Sequence, residues 1–271
     1  DIGGTKMRMA GSHDLRRFSE PIIADTPASY HDGLALIERV ANNIAGGNPI
    51  DAMTIGMTGV PIRAKRSTYA SNCPDWDEKP IAHDIEKELG TRVLLENDTA
   101  LVGLGEAHFG AGEGVPLLVY VTVSTGVNGV RIVHGYIDAA VLGFEIGEQF
   151  LSMEGGDDTL GEMISGRAIQ NRFGVHPREL GKDSPVWDEL AQVLAYGLHN
   201  TIMHWSPHRI VLGGSMFNTI GISVERVEAH LRSIMTKFPE IPEMVHSKLA
   251  DFGGLYGGMI LLRQAQDAGT L

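Results

Sequence analysis

The sequence contains a single cysteine, Cys73, among 271 residues. One thiol cannot form a disulfide within the chain, and it cannot supply the several thiolates of a cysteine-rich zinc site. A chain that uses so little cysteine fits a reducing compartment, so the cytoplasm is the expected location.

Cations and long apolar runs are also scarce. The chain has 22 Lys and Arg against 34 Asp and Glu, a formal net charge of −12. Nucleic acids and anionic membranes bind clustered cations, so neither is an expected partner. No window reaches the roughly 18 apolar residues of a membrane span, and a targeting leader is not expected. The chain begins directly in "DIGGTK", so we expect a few natural residues before Asp1.

Glycine is plentiful, with 34 residues, and it follows most of the predicted strands. Strands are predicted in "DIGGTKMRMAG", "MTIGMTGVPI", "RVLLEND", "LLVYVTVSTGVNGVRIVHGYI" and "RIVL". Each half of the chain opens with a hairpin whose turn is built from Gly, Ser and Thr. Two similar halves joined near residue 114 indicate a duplicated α/β fold with a cleft between the halves.

Four segments have the apolar spacing of helices, and several carry helix-ending residues. Pro80 and Gly90 bound one of them, as expected for helix start and stop signals. The segments are "YHDGLALIERVANNIAGG", "PIAHDIEKELG", "SPVWDELAQVLAYGLHNTIMHW" and "SVERVEAHLRSIMTKF".

The segment "LENDTAL", residues 95–101, places three polar side chains where a strand leaves the core. One interpretation makes Asp98 the cap of a following helix, because a short acceptor satisfies free backbone donors there. The other makes Asp98 a catalytic carboxylate, which can accept a proton from a reacting hydroxyl. This segment alone favours the cap.

Two glycine turns have the chemistry of phosphate-binding loops. Glycine lets the backbone approach a ligand closely, while amides, hydroxyls and a lysine favour an anion. Each turn alone is equally typical of an ordinary hairpin, and neither has the Walker spacing. The residues concerned are Gly3, Gly4, Thr5 and Lys6 in "DIGGTK" and Ser124, Thr125 and Gly126 in "STGVNG".

A third glycine turn, "IVLGGS", places Gly213 and Gly214 at the carboxyl end of a strand. A glycine pair there leaves room for a flat ring or a ribose, although a plain strand-to-helix turn has the same residues. The order "DIGGTK", "LENDTAL", "STGVNG", "IVLGGS" is far more specific than any one of them.

With these motifs, the chain resembles the ROK-type sugar kinases over nearly its whole length, including "IGMTGVPI", "GFEIGE", "LGEMISGRAI" and "GGLYGGMILL". The resemblance implies a two-lobed actin-like (ribonuclease H-like) ATPase fold of the α/β class with an interdomain cleft. It implies ATP and Mg²⁺ as cofactors and phosphoryl transfer to a sugar. The lobes are expected at 1–114, completed by a C-terminal helix at 255–271, and at 115–254. We also expect a homodimer.

The resemblance assigns roles to individual residues. Asp98 matches the general base, Asn97 matches a sugar-binding residue, and Asp1 is the expected partner of Mg²⁺ or its waters. Asp1 could also be an ordinary carboxylate at a strand end. The expected substrate-binding residues are Gly59, Asn72, Asn97, Asp98, Glu145, Glu148 and Glu162, and the expected ATP-binding residues are Asp1, Gly3, Gly4, Thr5, Lys6, Ser124, Thr125, Gly126, Gly213 and Gly214.

The chain also departs from the family pattern. Glu148 stands where the family has a zinc-binding histidine, and the following loop has no cysteine, so we predict that zinc is absent. The family's sugar-contacting glutamate is displaced, with Gly161 at its position and Glu162 one residue later. In the second phosphate turn Asn128 and Val130 replace glycines. Asn tolerates a left-handed backbone, and Val130 is expected to begin the return strand.

Two function classes follow. The first is an ATP-dependent sugar kinase, which the pairing of Asn97 with Asp98 and the two phosphate turns favour. The second is a non-catalytic or weakly active sugar-binding protein of the same fold. A DNA-binding repressor would need a winged-helix segment before "DIGGTK", and we do not expect that class for this sequence. Trp76, near the expected sugar site, suits the core and the sugar site equally.

Overall fold

The structure is a computed structural model that describes residues 1–62, 66–69, 73–153, 159–218 and 221–271. Contacts between residues divide the chain into two units. The first contains Asp1–Gly105, Val141–Gly143 and Asp251–Leu271, and the second contains Glu106–Ala140 and Phe144–Ala250. The lobe limits predicted from the sequence stay predictions. The two units are defined by contacts between residues, and such contacts do not show that a unit folds independently.

The strands of the first unit form one mixed sheet and a small hairpin. Ile2 bridges Met7 in antiparallel and Met57 in parallel fashion, so it joins two strand pairs into one sheet. One pair is antiparallel and the other is parallel. The strands are β1 (Lys6–Met9), β2 (Ile22–Asp25), β3 (Ala52–Met57), β4 (Val60–Ile62), β5 (Ser67–Tyr69) and β6 (Arg92–Asn97), in which β1 pairs with β2, β3 with β6, and β4 with β5.

The second unit has a five-stranded sheet built around the predicted hairpin. The strands are β7 (Leu117–Val123), β8 (Val127–Val133), β9 (Tyr136–Ile137), β10 (Arg209–Gly213) and β11 (Glu243–His246), in the order β11-β10-β7-β8-β9. Strand β10 runs parallel to both β7 and β11, whereas β7 and β8 are antiparallel. The predicted strands and the hairpin are therefore confirmed.

Nine helices lie in the described part of the chain. They are α1 (Tyr30–Ala45), α2 (Ile81–Leu89), α3 (Asp98–Phe109), α4 (Leu160–Ile164), α5 (Gly166–Phe173), α6 (Val186–Trp205), α7 (Ser215–Asn218), α8 (Val224–Ile234) and α9 (Gly253–Asp267). None of them is both long enough and apolar enough to cross a bilayer.

The predicted helix ends follow the sequence signals closely. Helices α1 and α2 end at Gly46 and Gly90, whose φ angles of 59° and 62° are left-handed. Only glycine adopts this conformation without steric cost, which is why it ends helices. Helix α8 begins after Ser223, whose side chain accepts from the backbone N–H of Arg226. The C-terminal helix begins at Gly253, two residues before the predicted start.

Each unit has its own buried core. In the first unit Ile55, Ile85 and Val93 are packed between the sheet and helices α1 and α2. In the second unit the apolar face of α6, including Leu194 and Leu198, packs with the buried strands β7 and β10. Burial of this kind provides most of the stability of a domain. The two cores support the glycine turns and the start of α3.

Candidate active site

Strand β6 passes directly into helix α3, and this junction carries Asn97 and Asp98. Asn97 precedes the helix, and its Oδ1 accepts a hydrogen bond of 3.0 Å from the backbone N–H of Ala100. This is the contact that an N-cap side chain makes. The cap is therefore Asn97, and the interpretation of Asp98 as the cap is wrong by one residue.

The Asp98 carboxylate is held by the residue that follows it. Its Oδ1 accepts a hydrogen bond of 2.7 Å from the backbone N–H of Thr99, and the Thr99 hydroxyl is 3.4 Å away. Burial raises the pKa of Asp98 above its ordinary value of 3.8, and the Thr99 contacts oppose that rise. A fixed carboxylate of raised basicity suits a general base.

Asn97 also forms a hydrogen bond with the turn at Gly59. Gly59 has a left-handed φ of 97°, and its carbonyl accepts a hydrogen bond of 2.9 Å from Asn97 Nδ2. An amide nitrogen carries two donors, and within the described residues Asn97 Nδ2 donates to Gly59 alone, so its second N–H can serve a ligand. The structure thus brings Gly59, Asn97 and Asp98 together, while Asn72 lies outside the described residues.

The first predicted phosphate turn is a tight hairpin. The backbone N–H of Gly3 donates to the carbonyl of Lys6 over 3.0 Å, and Gly4 and Thr5 are exposed. A Cβ atom built on Gly4 would meet nothing within 4 Å. The Lys6 ammonium lies 2.6 Å from the Asp25 carboxylate, and both side chains are largely exposed. Such a pair is weak in water, so Lys6 can turn to a phosphate.

Asp1 stands at the head of this turn beside an arginine. Its carboxylate, only 13% exposed, lies 3.8 Å from the Arg8 guanidinium, which is also 3.5 Å from Asp251. Gly254, in the first turn of α9, packs closely against the Asp1 carboxylate, since a Cβ there would lie 3.0 Å from Asp1 Cγ. Arg8 is not among the residues predicted from the sequence. The hairpin register, which pairs residues 1 and 8, could have indicated that Arg8 lies beside Asp1.

The second predicted phosphate turn joins β7 to β8 and contacts the start of α5. The N–H of Ser124 donates to the carbonyl of Gly126 over 2.8 Å. The carbonyls of Ser124 and Thr125 accept from the N–H groups of Gly166 and Arg167 at 2.7 and 3.4 Å. A Cβ on Gly126 would meet nothing within 4 Å. The turn is therefore anchored on one side and open above Gly126.

The two substitutions beyond this turn are accommodated inside β8. The strand begins at Val127, so Val130 is a buried residue within it and does not begin it as predicted. Asn128 is also in the strand, and its Oδ1 accepts from the N–H of Gly129 over 2.7 Å. A left-handed backbone is therefore not needed at Asn128.

The glycine pair at the end of β10 is required by close packing. Gly214 has a left-handed φ of 93°, and a Cβ there would lie 2.3 Å from the carbonyl oxygen of Val123. A Cβ on Gly213 would lie 2.6 Å from the Tyr120 hydroxyl. Both positions therefore need glycine for the fold itself. Their predicted contact with the nucleotide stays a prediction.

Two of the predicted sugar-binding carboxylates flank one short turn. Glu145 precedes the 3-10 turn Ile146–Glu148, and the N–H of Glu148 donates to its carbonyl over 3.1 Å. Both side chains are exposed. Solvent screens exposed charges, so their mutual repulsion is weak in the free protein and grows only if a ligand excludes water.

Glu162 has a structural task in α4. Its N–H donates to the Thr159 hydroxyl oxygen over 3.3 Å, and its carboxylate accepts from the same hydroxyl over 3.0 Å. With a longer contact to the Thr159 N–H, this is a capping box. Gly161 leaves little room for a larger residue, because a Cβ there would lie 3.2 Å from the Gly147 carbonyl. The sugar contact of Glu162 stays a prediction.

Trp76 belongs to the core of the first unit. It is 1% exposed, its Nε1 donates to the carbonyl of Pro27, and its ring packs edge-on against Tyr30. A Cβ on Gly33 would lie 2.1 Å from the indole. Of the two roles left open for Trp76, the structure supports core packing.

Within the described ranges, no three His, Cys, Asp or Glu side chains are grouped so as to share a metal ion. Magnesium is often held by one or two carboxylates together with waters and substrate phosphates, so it does not require such a group. Structural zinc requires about four protein ligands.

We expect protein purified without a histidine tag to carry substoichiometric zinc. Glu148 cannot replace an imidazole and several thiolates as a soft ligand set. Elemental analysis would measure the metal content, and EDTA should leave the melting temperature unchanged. Stoichiometric zinc, or a melting temperature that falls with EDTA, would contradict this.

Two solved structures share the fold. The ROK hexokinase from Thermus thermophilus aligns with a TM-score of 0.86 at 24% identity, over 98% of this chain and 97% of the other. A ROK family glucokinase from Streptomyces griseus, solved with glucose and AMPPNP, aligns with a TM-score of 0.81 at 23% identity, over 97% of both chains. At these identities the likeness shows the fold alone, which is the actin-like ATPase fold of the α/β class, as predicted.

The sequence itself gives the family. The ROK family model matches residues 1–265, so the chain belongs to the ROK family. An N-acetyl-D-glucosamine kinase from Pasteurella multocida is 27% identical over 96% of this chain and 97% of its own length. The predicted family is therefore confirmed.

Proposed function

We propose that the protein is an ATP-dependent sugar kinase that transfers the γ-phosphoryl group of ATP to a hydroxyl of a hexose or hexose derivative. Membership of the ROK family and the kinase names of its relatives support this class. The observation that carries it is Asp98, a partly buried carboxylate whose Oδ1 is fixed by the backbone N–H of Thr99 and whose pKa is raised by burial. A protein that only binds sugar has no need of such a base.

In this proposal Asp98 accepts the proton of the sugar hydroxyl as the hydroxyl oxygen bonds to the γ-phosphorus and the bond to the ADP oxygen breaks. Phosphoryl transfer asks little covalent chemistry of the protein, so positioning and one base are sufficient. Asn97 and the Gly59 turn hold the sugar beside Asp98. The hydrogen bond between Asn97 and Gly59 fixes both groups before the sugar binds. Glu145, Glu148, Glu162 and Asn72 are the other residues that we propose to bind the sugar.

The two open glycine turns support the proposed nucleotide site. At Gly4 and Gly126 no atom of the described residues occupies the space a side chain would fill, so a phosphate can approach the backbone closely. Gly3, Thr5, Lys6, Ser124 and Thr125 supply the surrounding amides, hydroxyls and ammonium. Gly213 and Gly214 are the proposed contacts of the adenosine.

Asp1 is the proposed residue for Mg²⁺, directly or through water. A carboxylate at the head of a phosphate turn is the oxygen ligand that Mg²⁺ prefers, and Mg²⁺ commonly keeps several waters beside one or two carboxylates. When bound, Mg²⁺ would neutralise charge on the phosphates. Arg8, at 3.8 Å, keeps Asp1 oriented. The single buried cysteine fits the cytoplasm as the proposed location.

A coupled ADP-release assay over a panel of neutral hexoses, amino sugars and acidic sugars tests the proposal. A kinase releases ADP only when its sugar is present. The alternative, a non-catalytic or weakly active sugar-binding protein, predicts that a sugar raises the melting temperature while ADP release stays at background. The second result would overturn the proposed function.

The exposed Glu148 should influence which sugar is accepted. It adds an anion beside Glu145 at the proposed sugar site, and two carboxylates around one ligand disfavour a third. We expect acidic sugars to be poor substrates, and Glu148→Gln to change the sugar KM much more than the ATP KM. Steady-state kinetics with each substrate varied would measure both. Unchanged sugar KM and kcat would mean that Glu148 points away from the sugar.

A further inference from the structure

Glu106 is a carboxylate with no exposed surface, and the proposed chemistry does not use it. It lies in α3, the helix that begins with Asp98, and is 0% exposed. Three backbone N–H groups donate to it: Ala111 to Oε2 over 2.7 Å, and Lys248 and Leu249 to Oε1 over 2.9 and 2.8 Å. A buried carboxylate with this many short bonds fixes the segments that it joins.

The surroundings leave no freedom to the Glu106 side chain. A Cβ on Gly110 would lie 2.0 Å from Glu106 Oε2, so only glycine fits there. The backbone carbonyl of Glu106 also accepts from Gly110 and Gly112 over 3.1 and 2.9 Å. Arg209, in β10, donates to the carbonyl of Ala111 over 2.6 Å. This hydrogen bond holds the loop that follows α3.

The segment that Glu106 holds leads into α9, which packs directly on α3. A Cβ on Gly105 would lie 2.5 Å from the Gly253 carbonyl oxygen, and a Cβ on Gly257 would lie 1.7 Å from the Leu101 carbonyl oxygen. The two helices are therefore in backbone contact through glycines. Longer hydrogen bonds between Glu106 and its backbone donors would shift α3 relative to the segment entering α9. The contact between the two helices would then change, because close-packed elements transmit strain.

The same two helices support both functional carboxylates. Asp98 is the first residue of α3. Asp1 lies against Gly254 in the first turn of α9, where a Cβ would be 3.0 Å from its Cγ. The relative placement of Asp98 and Asp1 thus depends on how α3 and α9 are held.

We propose that Glu106 is a positioning residue that fixes α3 to the segment entering α9 and so sets the geometry between Asp98 and Asp1. The functional part of this inference rests on the proposed kinase activity. Displacement of a reacting group by about 1 Å can cost about a hundredfold in rate. Glu106 therefore acts on turnover through Asp98 and Asp1 without touching a substrate.

Glu106→Gln and Gly110→Ala test this from two sides. Glutamine places an N–H₂ group where backbone donors point, so at least one of the three bonds is lost. Gly110→Ala leaves the carboxylate unchanged but displaces it. Each should lower kcat about ten- to hundredfold at temperatures where the protein stays folded, with a much smaller change in the KM for ATP. The double variant should lose little more than either single variant, because both break one link.

Matched controls separate positioning from general destabilisation. Glu86→Gln removes a carboxylate that also accepts a backbone N–H, from Val93 over 3.0 Å, but lies in α2. Gly33→Ala crowds the core at Trp76, where a Cβ would lie 2.1 Å from the ring. Both controls should lower the melting temperature and leave kcat near that of the wild type.

Hydrogen exchange gives a readout that does not depend on activity. In Glu106→Gln and Gly110→Ala, amides in 99–105 and 253–260 should exchange at least about tenfold faster, while those in 81–90 should not change. In the wild type the amides of Ala111, Lys248 and Leu249 should be among the slowest. Uniform exchange changes, fast exchange of these three amides, or wild-type kcat in both variants would overturn the positioning role. An inactive wild type with the expected exchange pattern would overturn only the kinase proposal.

Discussion

Asp98→Asn is expected to lower kcat about 10²- to 10⁴-fold while ATP binding and the fold are kept, because an amide cannot take the hydroxyl proton. The amide oxygen can still accept from the N–H of Thr99, which holds the carboxylate at 2.7 Å. Steady-state ADP release and nucleotide titration measure the two effects. Asp84→Asn is the matched control, because Asp84 lies in α2, away from the junction, and its carboxylate also accepts a hydrogen bond, from the Tyr30 hydroxyl. A variant that keeps about a third of the wild-type kcat would remove Asp98 from the role of base.

The same substitution should not destabilise the protein at neutral pH. Burial raises the folded-state pKa of Asp98 above 3.8, so its ionised form costs folding free energy at neutral pH. Linkage gives the sign: this cost is present above the folded-state pKa and disappears as the pH falls toward 3.8. The melting temperature of Asp98→Asn should therefore match or exceed that of the wild type at about pH 7, and its advantage should shrink at lower pH. The acid limb of kcat/KM should also lie above 3.8.

Gly4→Val and Gly126→Val are expected to weaken ATP binding at least about tenfold, or about 1.4 kcal/mol. Neither glycine has a protein atom within 4 Å of a built Cβ, and neither has a left-handed backbone. The substitutions should therefore leave the fold intact and act only on a ligand that approaches the backbone. Titration with a non-hydrolysable ATP analogue, with and without Mg²⁺, measures the affinity, which should be higher with Mg²⁺.

Gly181→Val is the control for these two variants. Gly181 also has open space around a built Cβ, and it lies between α5 and α6, outside either turn. Its ATP affinity should equal that of the wild type. Unchanged ATP affinity in both Gly4→Val and Gly126→Val would defeat the placement of the phosphates at the two turns.

Local sequence signals were sufficient for most of the fold. Gly46 and Gly90 end their helices because the left-handed backbone there favours glycine, and this preference is readable without tertiary structure. The strand run before "END" and the helical spacing after it placed the β6–α3 junction. The cap was misplaced by one residue, because Asn97 and Asp98 are both good caps and only geometry distinguishes them.

Other features were readable but missed, or not readable at all. Thr159 and Glu162 stand in the spacing of a capping box, so the structural task of Glu162 was visible in "TLGE". Glu106 could not be interpreted from the sequence, because two of its three partners lie about 140 residues away. Such long-range contacts leave no local periodicity.

The most direct measurement of the central claim follows the γ-phosphate itself. ATP labelled in its γ-phosphate is incubated with Mg²⁺, the preferred sugar from the panel, and either the wild type or Asp98→Asn. We expect the wild type to transfer the label to the sugar in proportion to the ADP formed, and Asp98→Asn to form almost no sugar phosphate while still binding ATP. Label released only as inorganic phosphate, or sugar binding without any labelled sugar phosphate, would contradict this expectation.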